Sequence, residues 1–260
     1  MKNAGAMKIN VLAFFSLLAG IFVSSCGMEE VLIINEPSVT YSNPLYSSSD
    51  PLTWYFNFAP ASDTGDSFLG TDIYYKIYNN HSVLSSHRSA ILSVNDDSNA
   101  SAAATRMIEG YSYQQLGKSV SNGEVVFVPA ESGFGRVVLR LKDYMDGLGA
   151  DPSPEDRKTR YNFEACVGRL NGTEYAYENY IPVRYNGKSF DFFDYHETHS
   201  GDNVEPASGD SDYYPSGSSS ESDCYYVQLF AVGVAMNSET VSNSYSLVLD
   251  LGSVPIRKGQ

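Results

Sequence analysis

Alternation of side-chain character is clearest between Phe68 and Tyr78, where the sequence is FLGTDIYYKIY. Successive side chains of a β-strand point to opposite faces. One face would carry an apolar and aromatic set, Ile73, Tyr75 and Ile77. The other would carry a mixed set, Tyr74, Lys76 and Tyr78. This pattern predicts a strand of an antiparallel sheet that has one face in the core and one face in water.

Other segments of strand length are also rich in aromatic and β-branched residues, and turn-forming sequences separate them. They are Leu52–Phe58, Glu124–Val128, Gly135–Leu141, Tyr161–Leu170, Tyr175–Tyr185, Ser189–Tyr195, Cys224–Val234 and Ser244–Leu251. We expect Glu124–Val128 and Gly135–Leu141 to pair with each other. Asn171-Gly172 and Asn186-Gly187 are typical of tight hairpin turns. The chain is therefore predicted to be mainly β, with antiparallel sheets and one or two short helices.

Two segments depart from the strand pattern. Ser98–Gly117 begins with helix-capping residues and a run of alanines, which predicts a helix, and Gly110 is a point where that helix could end. Thr198–Asp223 consists mostly of Ser, Gly, Asp and Glu and has almost no aliphatic residues. We therefore expect 198–223 to be an acidic, flexible loop rather than a packed segment.

The N-terminus has the features of an export signal. Lys2 and Lys8 precede an unbroken apolar run from Val11 to Val23, which has 13 residues. A membrane-spanning helix needs about 20 apolar residues, so this run is too short for a permanent transmembrane helix. A basic start, a short apolar core and small residues after it indicate a secretory signal peptide.

The end of that run, Val23-Ser24-Ser25-Cys26, resembles the lipobox of bacterial lipoproteins. The resemblance covers residues 1–26 and implies cleavage between Ser25 and Cys26, with diacylglycerol on the Cys26 thiol and acylation, such as palmitate, on its amine. Gly27 follows Cys26, and the family's inner-membrane retention signal has Asp there. The implied location is therefore the outer membrane of the cell envelope, on its surface or its periplasmic face. The alternative is an ordinary signal peptide with a chance cysteine.

Charge narrows the choice of partners. The 260-residue chain has a formal net charge of −14. Removal of residues 1–25 takes away Lys2 and Lys8 and no acid, which leaves a net charge of about −16. Such a body does not suit nucleic acid, whose phosphates require Lys and Arg, and it suits a soluble domain outside the cytoplasm.

Three cysteines are present, and Cys26 is assigned to lipid. Cys166 and Cys224 remain, an even pair in an oxidising compartment. A disulfide between them would close a loop of about 58 residues and stabilise the fold by about 4 kcal/mol. Two separate buried thiols are the alternative, and the sequence leaves both open.

Two strands resemble fibronectin type III modules. Gly70-Thr71-Asp72-Ile73-Tyr74-Tyr75 is similar to a middle strand of that family, and a later strand keeps its spacing at Tyr225, Val227, Leu229 and Ala231. The resemblance implies an immunoglobulin/fibronectin III-like β-sandwich over 51–260, after a lipidated tether over 26–50. About 145 residues separate the two motifs, which implies a large insertion at about 80–223.

No strong catalytic or metal-binding motif is present. His196-Glu197-Thr198-His199 lacks the i, i+4 spacing of a helical zinc motif. Five acidic residues could offer oxygen ligands to calcium but lack the ordered spacing of a calcium loop, namely Asp202, Asp210, Asp212, Glu221 and Asp223. Neither a nucleophile elbow nor a phosphate-binding glycine loop occurs. We therefore predict no cofactor, no metal and no catalytic residues.

Aromatic residues offer a different candidate. A platform for a sugar or peptide could form from Trp54, Tyr74, Tyr78, Tyr213 and Tyr214, although tyrosines on sheet faces are more often core residues. The first hypothesis is a lipid-anchored envelope protein with a non-enzymatic interaction or structural role. The second is an anchored binding protein for a glycan or other soluble ligand, and an envelope hydrolase ranks last. The sequence does not identify the protein or glycan partner.

Overall fold

A long strand, β2 (Phe68–Tyr78), lies at the centre of the fold and has neighbours on both edges. On one edge it pairs antiparallel with β11 (Cys224–Asn237), which pairs antiparallel with β12 (Ser242–Arg257). Three short strands from connecting segments pair with the other edge: β3 (Gln114–Gln115), β5 (Val128–Pro129) and β10 (Tyr213–Tyr214). Of these, only β10 runs parallel to β2. We call this assembly the central sheet.

The structure is a computed structural model. It describes residues 34–39, 56–63, 65, 67–118, 126–130, 134–139, 141, 163–170, 173–178, 182–188, 190, 192, 205–217, 224–237 and 242–257. All of these belong to one compact unit, Ile33–Gln260. The predicted signal peptide and Cys26 lie outside the described residues, as do Trp54, His196 and His199.

A second sheet contains four antiparallel strands in the order β1-β6-β7-β8. They are β1 (Phe56–Phe58), β6 (Phe134–Leu139), β7 (Phe163–Leu170) and β8 (Thr173–Glu178). Two further short strands, β4 (Gly117–Lys118) and β9 (Pro182–Val183), pair with each other. The predicted hairpin at Asn171-Gly172 is confirmed, because Leu170 pairs with Thr173 across this two-residue connection.

The main core lies between the two sheets. The central sheet supplies a fully buried apolar set that includes Ile73, Tyr75, Ile77, Val227, Leu229 and Ala231. The second sheet supplies Phe56, Phe58, Val137 and Leu139. Burial of a large apolar side chain stabilises a fold by about 1.5–3 kcal/mol, so this shared core holds the sheets face to face. The described residues thus form a mainly β, sandwich-like fold, as the sequence predicts.

Helices cover the opposite face of the central sheet. Helix α1 (His81–Leu92) begins at Asn80, whose side chain accepts hydrogen bonds from the backbone N–H groups of Ser82 and Val83. Helix α2 (Ser101–Thr105) follows and continues into a π-turn that ends at Gly110. A second core lies beneath them, with members including Tyr74, Tyr78, Leu84, Ile91, Met107, Phe230 and Val232. None of the helices among the described residues is long and apolar enough to span a membrane.

These helices overturn the expectation that one face of β2 lies in water. Tyr74 is 8% exposed, Lys76 4% and Tyr78 0%, so the mixed face of the strand is buried as well. The sequence missed α1 because HSVLSSHRSAIL is rich in serine and buries only Leu84 and Ile91. The predicted helix over Ser98–Gly117 is present in its first half, and β3 and β4 occupy its predicted C-terminal part.

Other predicted pairings also differ. The two segments expected to form one strand pair lie in different sheets, because β5 pairs with β2 whereas β6 pairs with β1 and β7. Asn186-Gly187 forms a turn, with Gly187 at φ +80°. Of the strand predicted over Ser189–Tyr195, only Phe190 and Phe192 are described, and both are core residues that lie outside the described strands.

Gly70 provides a direct test of the close contact between β2 and β5. It has φ +137°, and a Cβ added there would lie 2.1 Å from the Val128 carbonyl oxygen. Gly70→Ala should therefore lower the free energy of unfolding by at least about 2 kcal/mol, because strain and a backbone clash combine. Urea denaturation measures the change.

Gly209→Ala is the matched control, since a Cβ at Gly209 would have no neighbour within 4 Å. It should change stability by less than about 0.5 kcal/mol. Equal effects of the two substitutions would contradict the tight β2–β5 contact.

Candidate functional site

Charged and aromatic side chains converge at the C-terminal end of β2, where β10 lies against its outer edge. The Ile77 N–H donates to the Asp212 carbonyl at 2.8 Å, and Tyr213 and Tyr214 pair with Ile77 and Tyr78. β10 belongs to the predicted acidic loop 198–223. The expectation of an unpacked loop does not hold for residues 205–217, because Asp212 is 0% exposed and its neighbours complete the central sheet.

A buried ion cluster fixes the chain just before β10. The guanidinium of Arg184 donates to both carboxylate oxygens of Asp212, each at 2.7 Å, and to Asp210 at 2.5 Å. The Tyr75 hydroxyl donates to Asp212 Oδ2 at 2.6 Å and accepts from the Tyr185 N–H at 2.9 Å. Arg184 is 0% exposed. A carboxylate with three such donors is fully satisfied, which accounts for its burial.

Asp210 and Asp212 are two of the acidic residues that could have offered ligands to calcium, but both carboxylates bind Arg184 instead. Burial alone would raise the pKa of Asp210, but the Ala207 N–H and the Arg184 guanidinium outweigh it and lower that pKa. Both carboxylates are therefore occupied by Arg184. Among the described residues, no group of three His, Cys, Asp or Glu side chains could hold a metal ion.

Lys76 joins two segments that approach the outer edge of β2 from opposite directions. Its ammonium donates to the Ser112 carbonyl at 3.1 Å and to the Ser211 carbonyl at 3.2 Å. Burial lowers the pKa of Lys76, and the charge of Asp212 partly opposes this effect. Lys76 thus connects the segment after the helices to the segment that leads into β10.

On the helical side of the sheet, aromatic rings surround His87. The ring centroid of His87 lies 4.4 Å from that of Tyr111, 4.9 Å from that of Tyr214 and 5.5 Å from that of Tyr78. Tyr214 is 41% exposed, whereas His87 and Tyr111 are half-buried and Tyr78 is buried. We call His87, Tyr111 and Tyr214 the Tyr214 patch.

Hydrogen bonds orient the imidazole in this patch. The Tyr78 hydroxyl lies 3.1 Å from His87 Nδ1 and 3.2 Å from the Tyr113 hydroxyl. Nδ1 is therefore bonded within the fold, and Nε2 is the second polar atom of the ring. Burial, and then the charge of Lys76, lower the pKa of His87, so the ring is neutral near pH 7.

A separate buried carboxylate, Asp72, lies further along β2. It accepts hydrogen bonds from the Gln115 amide at 2.8 and 3.0 Å and from the Phe127 N–H at 2.8 Å. Burial raises its pKa to about 6, although these donors and Lys118 lower it. Perturbed carboxyl groups can mark active sites. Here the contacts of Asp72 tie the segments carrying β3 and β5 to the edge of β2.

The aromatic platform predicted from sequence forms only in part. Tyr74 and Tyr78 are core residues, and Tyr213 packs towards the main core beside Tyr225. Only Tyr214 of the described candidates is exposed, and its partners are His87 and Tyr111. Sequence reasoning missed these partners because they lie 24 residues apart on segments with no shared periodicity. It missed Arg184 for a similar reason, since Asp212 is 28 residues away.

The cysteine prediction stays open. Cys166 lies on β7 of the second sheet and Cys224 begins β11 of the central sheet, so a disulfide would link the two sheets. The side chain of Cys166 is outside the described part of the structure.

Comparison with protein-family models, with curated proteins and with solved structures gives no match. The candidate site therefore stands on its own geometry: a half-exposed aromatic patch with a neutral histidine, held by a buried ion cluster.

Arg184→Met tests the buried ion cluster. It leaves the Asp212 carboxylate buried without its cation, so the free energy of unfolding should fall by about 3–5 kcal/mol. Arg88→Met is the control, because Arg88 pairs with Asp250 while 46% of its side chain is exposed. That substitution should cost only about 0–1 kcal/mol in the same urea titration. Similar losses in both variants would contradict a special role for the Arg184 cluster.

Asp72→Asn tests the raised pKa of about 6. The unfolded chain loses the Asp72 proton near pH 4, before the folded protein does, so ionisation favours unfolding between about pH 4 and pH 6. The contribution of protonated Asp72 to the free energy of unfolding is fully present below about pH 4. It falls by about 3 kcal/mol as the pH rises to about 6.

The free energies of unfolding of the wild type and of Asp72→Asn are measured by urea unfolding across this pH range. The difference between them should change by about 3 kcal/mol between about pH 4 and about pH 6. Asp97→Asn, which removes an exposed carboxylate after α1, controls for the change in charge. A constant difference between wild type and Asp72→Asn would show that the Asp72 pKa is not raised.

Proposed function

We propose that this chain is a lipid-anchored lipoprotein of the bacterial cell envelope, with a non-enzymatic interaction role outside the cytoplasm. The anchor rests on one observation, the sequence Val23-Ser24-Ser25-Cys26 directly after the 13-residue apolar run. Lipid on the thiol and amine of Cys26 would provide two or three acyl chains. One chain gives only marginal membrane binding, whereas two or more hold a protein stably. Gly27 favours the outer membrane.

The interaction role rests on the Tyr214 patch. A half-exposed tyrosine beside a half-buried histidine and a second tyrosine offers apolar ring surface together with polar atoms. Such amphipathic aromatic groups are common in recognition surfaces. By contrast, the buried ionisable groups Asp72, Lys76, Asp212 and Arg184 make contacts that join chain segments. Because the ionisable groups are buried and have structural contacts while the exposed patch is aromatic, we favour binding over catalysis.

For the body we propose an immunoglobulin/fibronectin III-like sandwich with a large insertion. The adjacent antiparallel strands β2, β11 and β12 support it, as does the placement of Val227, Leu229 and Ala231 on one core face. The insertion would then supply the helices and the short strands that cover β2. A parallel β10 and a helical layer on the outer face are additions to the simple sandwich.

Part of the proposed tether over 26–50 lies among the described residues. Ile34 is 6% exposed, Asn35 donates to the Ser62 carbonyl at 2.9 Å, and Ser38 forms an antiparallel bridge with Ala59. Ile34, Asn35 and Ser38 thus contact the body, although they lie inside the range 26–50. The eight peptide links from Cys26 to Ile34 could extend at most about 29 Å. A membrane holding the lipid would lie within that reach of Ile34.

Cys26→Ser should abolish incorporation of labelled fatty acid and leave an uncleaved precursor, because the modified thiol is required before cleavage in the lipoprotein family. The measurement is metabolic labelling with an alkyne fatty acid in a bacterial host, together with the mass of the purified protein. Cys224→Ser is the matched control and should be labelled normally. Unchanged labelling of Cys26→Ser would refute the proposed anchor.

A further inference from the structure

We infer that the Tyr214 patch binds a neutral saccharide. This inference rests on the interaction role proposed above and names the ligand class of the same site. It draws on the exposure of Tyr214, the second ring nitrogen of His87, the charge around the patch and the rigidity of its support.

The first requirement for saccharide binding is an exposed ring surface. The C–H face of a sugar ring is apolar and packs on aromatic rings, while its hydroxyl groups need polar partners at the periphery. Tyr214 is 41% exposed and meets the His87 ring edge to face, at an interplanar angle of 83°. The Tyr111 ring packs on the same His87 ring, at an interplanar angle of 34°. The patch therefore presents ring surface in two orientations around one imidazole.

The second requirement is a directed polar group. His87 Nδ1 is hydrogen-bonded to the Tyr78 hydroxyl, which leaves Nε2 as the second polar atom of the ring. No described residue makes a hydrogen bond to that nitrogen. A sugar hydroxyl stacked beside Tyr214 can both donate and accept, so it could pair with Nε2 in either tautomer. The hydroxyl groups of Tyr111 and Tyr214 can both donate and accept, which suits a ligand with many hydroxyl groups.

Charge selects a neutral ligand over an anionic one. The mature chain has a net charge of about −16, which repels anions. The neighbouring cation, Lys76, is 4% exposed and donates to the Ser112 and Ser211 carbonyls. Arg184 is 0% exposed and is held by Asp210 and Asp212. Neither cation is presented to an anion at the patch.

The third requirement is rigidity, because ordering a mobile loop on binding costs free energy. The segment carrying Tyr214 is fixed before the tyrosine by the Asp212–Arg184 cluster. It is fixed after the tyrosine by the Ser216 N–H, which donates to Asn79 Oδ1 at 2.8 Å. His87 lies in α1, whose N-terminus is capped by Asn80. The patch is thus formed before a ligand arrives.

Ligand-observed NMR titration tests the inference on the mature protein in detergent. The probes are maltohexaose, cellohexaose, xylohexaose and mannohexaose. We expect at least one to bind, and Tyr214→Ala should raise its Kd about threefold to tenfold through the loss of stacking. Tyr185→Ala is the matched control, because Tyr185 is 45% exposed but lies outside the patch. It should leave the Kd unchanged.

His87→Phe is a second variant that keeps an aromatic ring and removes the polar Nε2 atom. It should also raise the Kd about threefold to tenfold, as expected for one hydrogen bond. Thermal unfolding of each variant shows that the fold is retained.

Two results would overturn the inference: no binding of any probe, or equal Kd values for Tyr214→Ala and Tyr185→Ala. Binding of a random peptide mixture that is lost in Tyr214→Ala, with no saccharide bound, would assign the patch to protein recognition instead. Saccharide titration of the Cys26→Ser chain separates this inference from the anchor. If Cys26→Ser is labelled normally and still binds the saccharide, only the proposed anchor is refuted. If the wild-type chain is lipidated at Cys26 but binds no saccharide, only the saccharide inference is refuted.

Discussion

The fold depends on satisfying the backbone of β2, a strand buried on both faces. Unpaired N–H and C=O groups away from water cost free energy comparable to a lost hydrogen bond, so its outer edge needs partners along its length. Three separate segments provide them, through β3, β5 and β10. Between these strands, the Leu116 N–H donates to the Ile73 carbonyl at 2.8 Å. The segments between β2 and β11 that carry these strands are therefore an integral part of the central sheet.

Buried charges then hold those segments in place. Asp72 fixes the segments of β3 and β5, Lys76 connects Ser112 with Ser211, and Arg184 binds the residue that precedes β10. Charges of this kind are costly to desolvate, and they are tolerated here because each has several hydrogen-bond partners. Their contacts determine where each segment lies along the outer edge of β2. Backbone pairing over strands of only two residues would not be specific enough to determine this.

This scaffold has a consequence for recognition. Tyr214 is exposed on a strand whose flanking residues are fixed, and it meets His87 from a helix on the same face of the sheet. The hydrogen bond to Tyr78 links the half-buried imidazole to the second core. Rigid aromatic surface next to a neutral imidazole is suited to a polar, uncharged ligand.

The sequence by itself determined the mainly β class, the bounds of β2, the hairpin at Asn171-Gly172 and the common core face of Val227, Leu229 and Ala231. Each follows from periodicity or turn chemistry within a few residues. Only the tertiary structure decided that both faces of β2 are buried and that part of the acidic loop is packed. Arg184 pairs with Asp212, and Tyr214 contacts His87. The residues of each pair are far apart in the sequence, so local sequence patterns do not predict these contacts. Long-range pairing of charges and rings, rather than local propensity, thus created the candidate site.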